Sequence, residues 1–359
     1  MIEDCMKFTA YFGERQRDKQ RFFADDLLDL FESHEIATSI MLRGISGFGL
    51  RHHLRTDQSL TLSEDPPVVA MAVDTAERIE EMAQRAAQLQ QRGILTLERS
   101  RLVRETIGRP DLPEQFNEAT KLTIYIGRHE RVYRVPAFIA VCDLLRRRGI
   151  AGASVFVGVD GTIHGQRERA HFFDRNLEVP TMIMVVGSGR LIDQVLPELG
   201  ALLRRPLITV ERVRVCKRDG ELIERPHALP NVDARGLGMW QKMMVYTSES
   251  HLHDGEPIHR ELVRRLRASP VARGTTVLRG IWGFHGDHDP HGDRLLQFGR
   301  RVPVTTIVVD TPEHIAQSFD IVDELTTTHG LVTTEMVPAL ASFDESGTGG
   351  GLHLADHDF

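Results

Sequence analysis

Three glycine-rich stretches carry the residue types best suited to holding an anion. In the first, Gly44, Gly47 and Gly49 follow an apolar run, with Arg43 and Arg51 flanking them. Glycine permits positive φ and close backbone approach, so successive N–H groups there can form an anion-binding nest, and a nearby guanidinium can neutralise phosphate. The counterparts are Gly158, Gly161, Gly165 and Arg167 in mid-chain, then Arg279, Gly280, Gly283 and Gly286. A competing explanation is that these glycines only turn the chain as it leaves a strand. Both explanations stay open on the sequence.

The third stretch adds a second chemistry. His285, Asp287, His288 and His291 combine imidazole and carboxylate at a spacing that lets a loop wrap zinc or copper. Against a metal, Pro290 and the neighbouring glycines deny the loop a regular scaffold. The other two stretches offer only His52 and His53, and His164 and His171. A solvated polar loop is the competing reading. No GxSxG, P-loop, HExxH or repeated carboxylate pair is present, which argues against an enzyme. Asp74 and Asp310 read as partners for helix N-termini, and Cys142 as a core residue on an apolar helix face.

The elements that must position these stretches come in triplicate. Phe8-Thr-Ala-Tyr-Phe-Gly13 returns as Leu122-Thr-Ile-Tyr-Ile-Gly127 and more loosely as Met243-Met-Val-Tyr-Thr-Ser248. Tyr11, Tyr125 and Tyr246 stand 114 and 121 residues apart. Gly44, Gly158 and Gly280, then Pro67, Pro180 and Pro303, and finally Glu98, Glu211 and Glu335 keep nearly the same register. A period this long makes each copy a small domain rather than a solenoid unit. In the first copy, Lys7 to Gly13 has strand composition and Phe22 to Phe31 has helical apolar spacing. Ser39 to Gly44 is a short strand, and Pro67 to Asp74 is an apolar run demanding burial. Thr75 opens a helix that Gly93 stops, and a last strand begins at Ile94. The order is β-α-β-β-α-β.

That order predicts an α+β fold of three ferredoxin-like domains, each a four-stranded antiparallel sheet with both helices on one face. The bare sheet face of each needs a partner, so the three are expected to pack as an intrachain pseudo-trimer. The copies span 6–105, 120–217 and 240–340. Arg104 to Thr120 and Lys217 to Met239 read as linkers, and residues 341–359, rich in glycine, as a disordered tail.

Bulk properties narrow the class of partner. The 359 residues carry a net charge of −7, 41% hydrophobic and 26% charged residues, as in ordinary soluble domains. Nucleic acid is therefore not an expected partner. Cys5, Cys142 and Cys216 form no CxxC motif, and no secretory signal or membrane-length apolar run occurs. A cytoplasmic protein is the expectation.

Leu42-Arg-Gly-Ile-Ser-Gly-Phe-Gly49, followed by Leu62-Ser-Glu-Asp-Pro-Pro-Val-Val69, resembles the PII-like family known as domain of unknown function 190. The first signature recurs as Leu278-Arg-Gly-Ile-Trp-Gly-Phe-His285 and, with more divergence, around Val157-Gly-Val-Asp-Gly161. The resemblance implies trimeric assembly like that of PII signalling proteins, which bind adenine nucleotides in clefts between subunits. It implies a regulatory sensor whose ligand is an adenine nucleotide or another small anion. It also suggests a membrane transporter or channel as partner, some members being associated with fluoride-export channels. The alternative is a metal-binding or ion-tolerance protein on the same scaffold. Three copies in one chain lead us to expect a monomer.

Overall fold

Each repeat begins with a strand whose residues are buried on both faces, because helices cover one face of its sheet and the other repeats cover the second. In the computed structural model the described residues are 2–18, 21–56, 65–90, 92–103, 119–167, 179–285, 291–292, 302–345 and 347–357. Leaving aside two-residue strands, the first repeat holds β1 (Ile2–Gly13), α1 (Phe23–Ser33), β2 (Thr38–Arg43), β3 (Ser46–Phe48), β4 (Pro67–Asp74), α2 (Ala76–Leu89) and β5 (Gly93–Val103). The second holds β6 (Thr120–Gly127), α3 (Ala137–Arg147), β7 (Gly152–Val157), β8 (Asp160–Ile163), β9 (Pro180–Gly187), α4 (Gly189–Leu202), β10 (Leu207–Arg212) and β11 (Arg214–Arg218). The third holds β12 (Trp240–Ser248), α5 (Ile258–Ala268), β13 (Thr275–Arg279), β14 (Trp282–His285), β15 (Pro303–Asp310), α6 (Pro312–Leu325) and β16 (Leu331–Val337). The hairpin β17 (Ala339–Asp344) and β18 (Gly347–Gly351) follows.

The strand order is the same three times. It runs β5–β1–β4–β2, β10–β6–β9–β7 and β16–β12–β15–β13, antiparallel throughout. Pro67, Pro180 and Pro303 each open the third core strand, where a missing N–H costs no ladder bond. Every residue of β4 and β9 is buried, which explains why these runs are continuously apolar rather than alternating. Asp74 accepts N–H bonds from Thr75 at 2.7 Å and Ala37 at 2.8 Å, so it ties the start of α2 to the approach of β2. Asp310 does the same with Thr311 at 2.8 Å and Arg273 at 3.1 Å.

Two strand exchanges tie the repeats together. The short strand after each second core strand adds to a neighbour: β3 pairs with β13, β8 with β2, and β14 with β7. First gives to third, second to first, third to second, so the cycle closes. The segment after each fourth core strand runs the opposite way round. The end of β5 pairs with β10, β11 with β16, and β17 with β5. Helix-side cores belong to single repeats, with limited help from exchanged strands. The opposite sheet faces share one apolar cluster in which Met71, Met184 and Ile307 come from different repeats.

Two expectations about boundaries need correction. The tail from residue 341 is not disordered where it is described: β17 and β18 form a hairpin on β5. Its glycines mark a strand that lies close over Ser342 and Leu340, while Leu340, Ala341 and Phe343 are buried. The linker expected from Lys217 begins as strand, because Lys217 and Arg218 pair with Val332 and Leu331 and the Lys217 ammonium is buried against Asp323. Most of the other expected linker, residues 104–118, lies outside the described residues.

Candidate functional site

The exchanged strands leave clefts between repeats. One lies where the first repeat meets the third, with a volume of about 280 Å³. Its wall combines Gly49, Arg51 and Arg55 beyond β3, Arg92 just before β5 and Gly93 at its start, Thr275 of β13, and Phe343 and Asp344 of β17. Three guanidiniums thus come to one cleft. Gly93 is required there: its φ is +112°, and a Cβ would stand 2.2 Å from the Tyr11 carbonyl oxygen. The matching cleft between the second and third repeats has about 720 Å³ and is rich in imidazole instead. His251 and His329 stack with ring centroids 4.3 Å apart, and His285 Nε2 stands 2.6 Å from Asp219 Oδ1.

The residues singled out in the sequence separate into two groups. Gly44, Gly158 and Gly280 donate their N–H groups to the carbonyls of Pro67, Pro180 and Pro303 at 2.7 to 2.8 Å. The next amides, of Ile45, Val159 and Ile281, bond to Val277, Met41 and Val155 of the neighbouring repeat. At Gly47, Gly161 and Gly283 a Cβ would fall 2.3 to 2.4 Å from a carbonyl oxygen of the strand next door. These six glycines serve the exchange seam, where two backbones pass too closely for a side chain. Gly49 and Arg51, by contrast, line the first cleft. Arg43 and Arg279 lie at strand ends and pair with Glu14 at 3.0 Å and Glu249 at 2.8 Å. Gly165 packs near Glu35 with φ at +77°. Arg167 closes a two-residue strand.

Of the proposed metal ligands, His285 pairs with Asp219 and His291 sits in a two-residue strand beside Gly283. Gly286, Asp287 and His288 lie outside the described residues. Among the described residues, the group of three metal-capable side chains with ligand atoms within 4.8 Å is Glu98, Glu211 and Glu335. Three ammoniums already neutralise it. Lys7, Lys121 and Lys242 stand directly across the sheet from these glutamates and contact them at 2.9 Å each. Each lysine also reaches the next repeat's glutamate: Lys7 to Glu211, Lys121 to Glu335, Lys242 to Glu98. The result is a buried ring of six alternating charges to which every repeat contributes one pair.

Burial opposes charge at Glu98 and Glu211, yet the neighbouring lysines hold both carboxyls well below the usual range. Burial likewise works against the Lys7 ammonium, but Glu211 and Glu98 keep its pKa well above the ordinary lysine value. The cysteines are poor nucleophiles: burial pushes the Cys5 thiol up to about 12 and the Cys216 thiol up to about 11.

The profile of the DUF190 family, described as an uncharacterized ACR, matches residues 5–102, 119–215 and 240–339. The chain belongs to the DUF190 family. It carries three tandem copies of that domain, with limits within a few residues of those read from the repeats. A solved structure described as an unknown protein from Galdieria sulphuraria aligns over 61% of this chain and 97% of its own. Its identity is 11% and its TM-score 0.18, too low to bear on fold or function. No helix among the described residues of this DUF190 chain is long and apolar enough to cross a membrane.

The lysine–glutamate ring and Arg92 were missed in the sequence. A signal for the ring was present, since Lys7, Lys121 and Lys242 precede the landmark tyrosines by four residues in each copy. Arg92 had one too, since it stands six residues before Glu98 as Arg205 does before Glu211 and His329 before Glu335.

Proposed function

We propose that this DUF190 chain is a PII-like regulatory protein that binds a small anionic ligand, an adenine nucleotide being the leading candidate, in clefts between its repeats. In this reading each repeat is a ferredoxin-like unit, and the three close as an intrachain pseudo-trimer acting as a monomer. Support for the architecture comes from the strand order repeated three times and the two closed cycles of strand exchange. The observation that carries the ligand proposal is the convergence of Arg51, Arg55 and Arg92 on one inter-repeat cleft. Guanidiniums at a partly enclosed site favour phosphate or carboxylate groups through charge-assisted, often bidentate bonds. A binding role rather than a catalytic one is favoured by thiols held protonated and by carboxylates already spent on lysines.

Calorimetric titration of ADP and pyrophosphate into the full chain at low salt tests the proposal. Wild-type protein should bind ADP, and Arg92→Ala should weaken binding by about ten- to hundredfold, the cost of one charge-assisted hydrogen bond. No binding of either compound at millimolar concentration, or binding that Arg92→Ala leaves unchanged, would overturn it.

A further inference from the structure

In both described clefts, bases that an anion would need are already held by a carboxylate from the preceding repeat, although Arg55 in the first cleft pairs with Asp65 of its own repeat at 3.3 Å. At the junction of the first and third repeats, Glu345 follows the last residue of β17 and bridges Arg51 and Arg92, one carboxylate oxygen to each. At the junction of the second and third, Asp219 follows the last residue of β11 and pairs with His285 at 2.6 Å. The two positions are close but not equivalent: Asp219 lies beside Gly330 of the third repeat, as Phe343 lies beside Gly93 of the first, so Glu345 stands two residues further along its turn. Both strands add to the last core strand of the next repeat, β11 to β16 and β17 to β5, so both turns arrive at a cleft mouth. The bases differ in position: His285 ends β14, where the first repeat has Gly49, and Arg51 stands two residues beyond that glycine. Register fixes the meeting of Glu345 with Arg92, because Phe343 lies opposite Gly93.

These pairs are poorly shielded. Arg51, Arg92 and Glu345 are each about half exposed, at 47%, 58% and 55%. Exposed ion pairs are weak and readily exchange partners. A carboxylate so placed neutralises and orients the arginines without holding them tightly.

We propose that Glu345 and Asp219 are tethered stand-ins for the ligand, displaced when an anionic group enters the cleft. This inference rests on the proposal that the clefts bind anions, and it sharpens the ligand's chemistry. The entering group should be an oxyanion presenting two oxygens, a terminal phosphate or a carboxylate, that spans Arg51 and Arg92 as Glu345 does. Its entry frees the Glu345 carboxylate from both guanidiniums.

The test is calorimetric titration of ADP and, separately, of succinate into wild type, Glu345→Gln, Asp219→Asn and Arg92→Ala. The two compounds distinguish a phosphate from a carboxylate as the preferred group. Removing the competing charge at Glu345 should tighten binding by roughly three- to tenfold, with the melting temperature unchanged. Asp219→Asn should do the same for a second, independent site. If Arg92→Ala weakens binding while neither carboxylate variant tightens it, the stand-in role is overturned and the anion site survives. If no variant binds either compound, or Arg92→Ala has no effect, the anion site falls and the stand-in role with it.

Discussion

Replacing Lys7 with Met should destabilise the protein far more than a surface lysine would. Lys7 is 4% exposed and contacts Glu98 and Glu211 together. After the change, Glu98 keeps only Lys242 and Glu211 keeps only Lys121, so three buried carboxylates face two ammoniums. Removing one partner of a buried ion pair costs about 3–5 kcal/mol, because an uncompensated charge stays behind. The 359-residue chain, unfolding as one unit, carries an entropy of roughly 0.75 kcal/mol/K at its midpoint, so the melting temperature should fall by about 4–7 °C. Lys121→Met and Lys242→Met should fall by similar amounts, since all three occupy equivalent places in the ring. Replacing all six charges with well-packed apolar residues should recover most of the loss, as buried ion pairs are often no better than apolar neighbours. Scanning calorimetry measures all five proteins. A Lys7→Met protein that melts within 1 °C of wild type would refute the reasoning.

The seam glycines give a second test. Gly47→Ala and Gly283→Ala each place a Cβ 2.4 Å from a neighbouring carbonyl oxygen and should cost about 1–3 kcal/mol in urea unfolding. Gly49→Ala, with open space around it, should cost little, so equal costs at all three positions would contradict the seam. Acid stability follows from the ring. Glu98 and Glu211 have carboxyls below their unfolded value of about 4.3, so their contribution is present above that pH and is lost as pH falls through the lower folded value. The raised pKa of Lys7 gives a contribution present below about pH 10.4 and lost only at higher pH. Melting temperatures should therefore hold from about pH 6 to 9 and drop towards pH 3, less steeply in the six-residue apolar variant. Parallel acid curves for the two proteins would remove the ring as the cause.

Much of the fold was legible because its landmarks obey local rules. A proline opening each third strand, a tyrosine in each first strand and an apolar run for each buried strand all show in one dimension. The function of Gly44 and Gly47 was less legible, since both a nest and a close backbone crossing call for glycine. Only the position of β13 beside β3 shows that the crossing uses them. Glu98, Glu211 and Glu335 were visible as repeated residues, but their purpose depends on lysines that lie across the sheet and in another repeat. The glycines of the tail suggest disorder, because composition does not reveal that Leu340 and Phe343 find β5. Arg92 and Glu345 meet across 253 positions of sequence, a distance that no local pattern spans.

Small-angle scattering with mass determination tests most directly whether the three repeats of a single chain close on one another. A closed 359-residue chain should scatter as a particle of about 40.5 kDa with a radius of gyration of about 21 Å. Three domains strung apart with a clearly larger radius, or a particle of three times that mass, would contradict it.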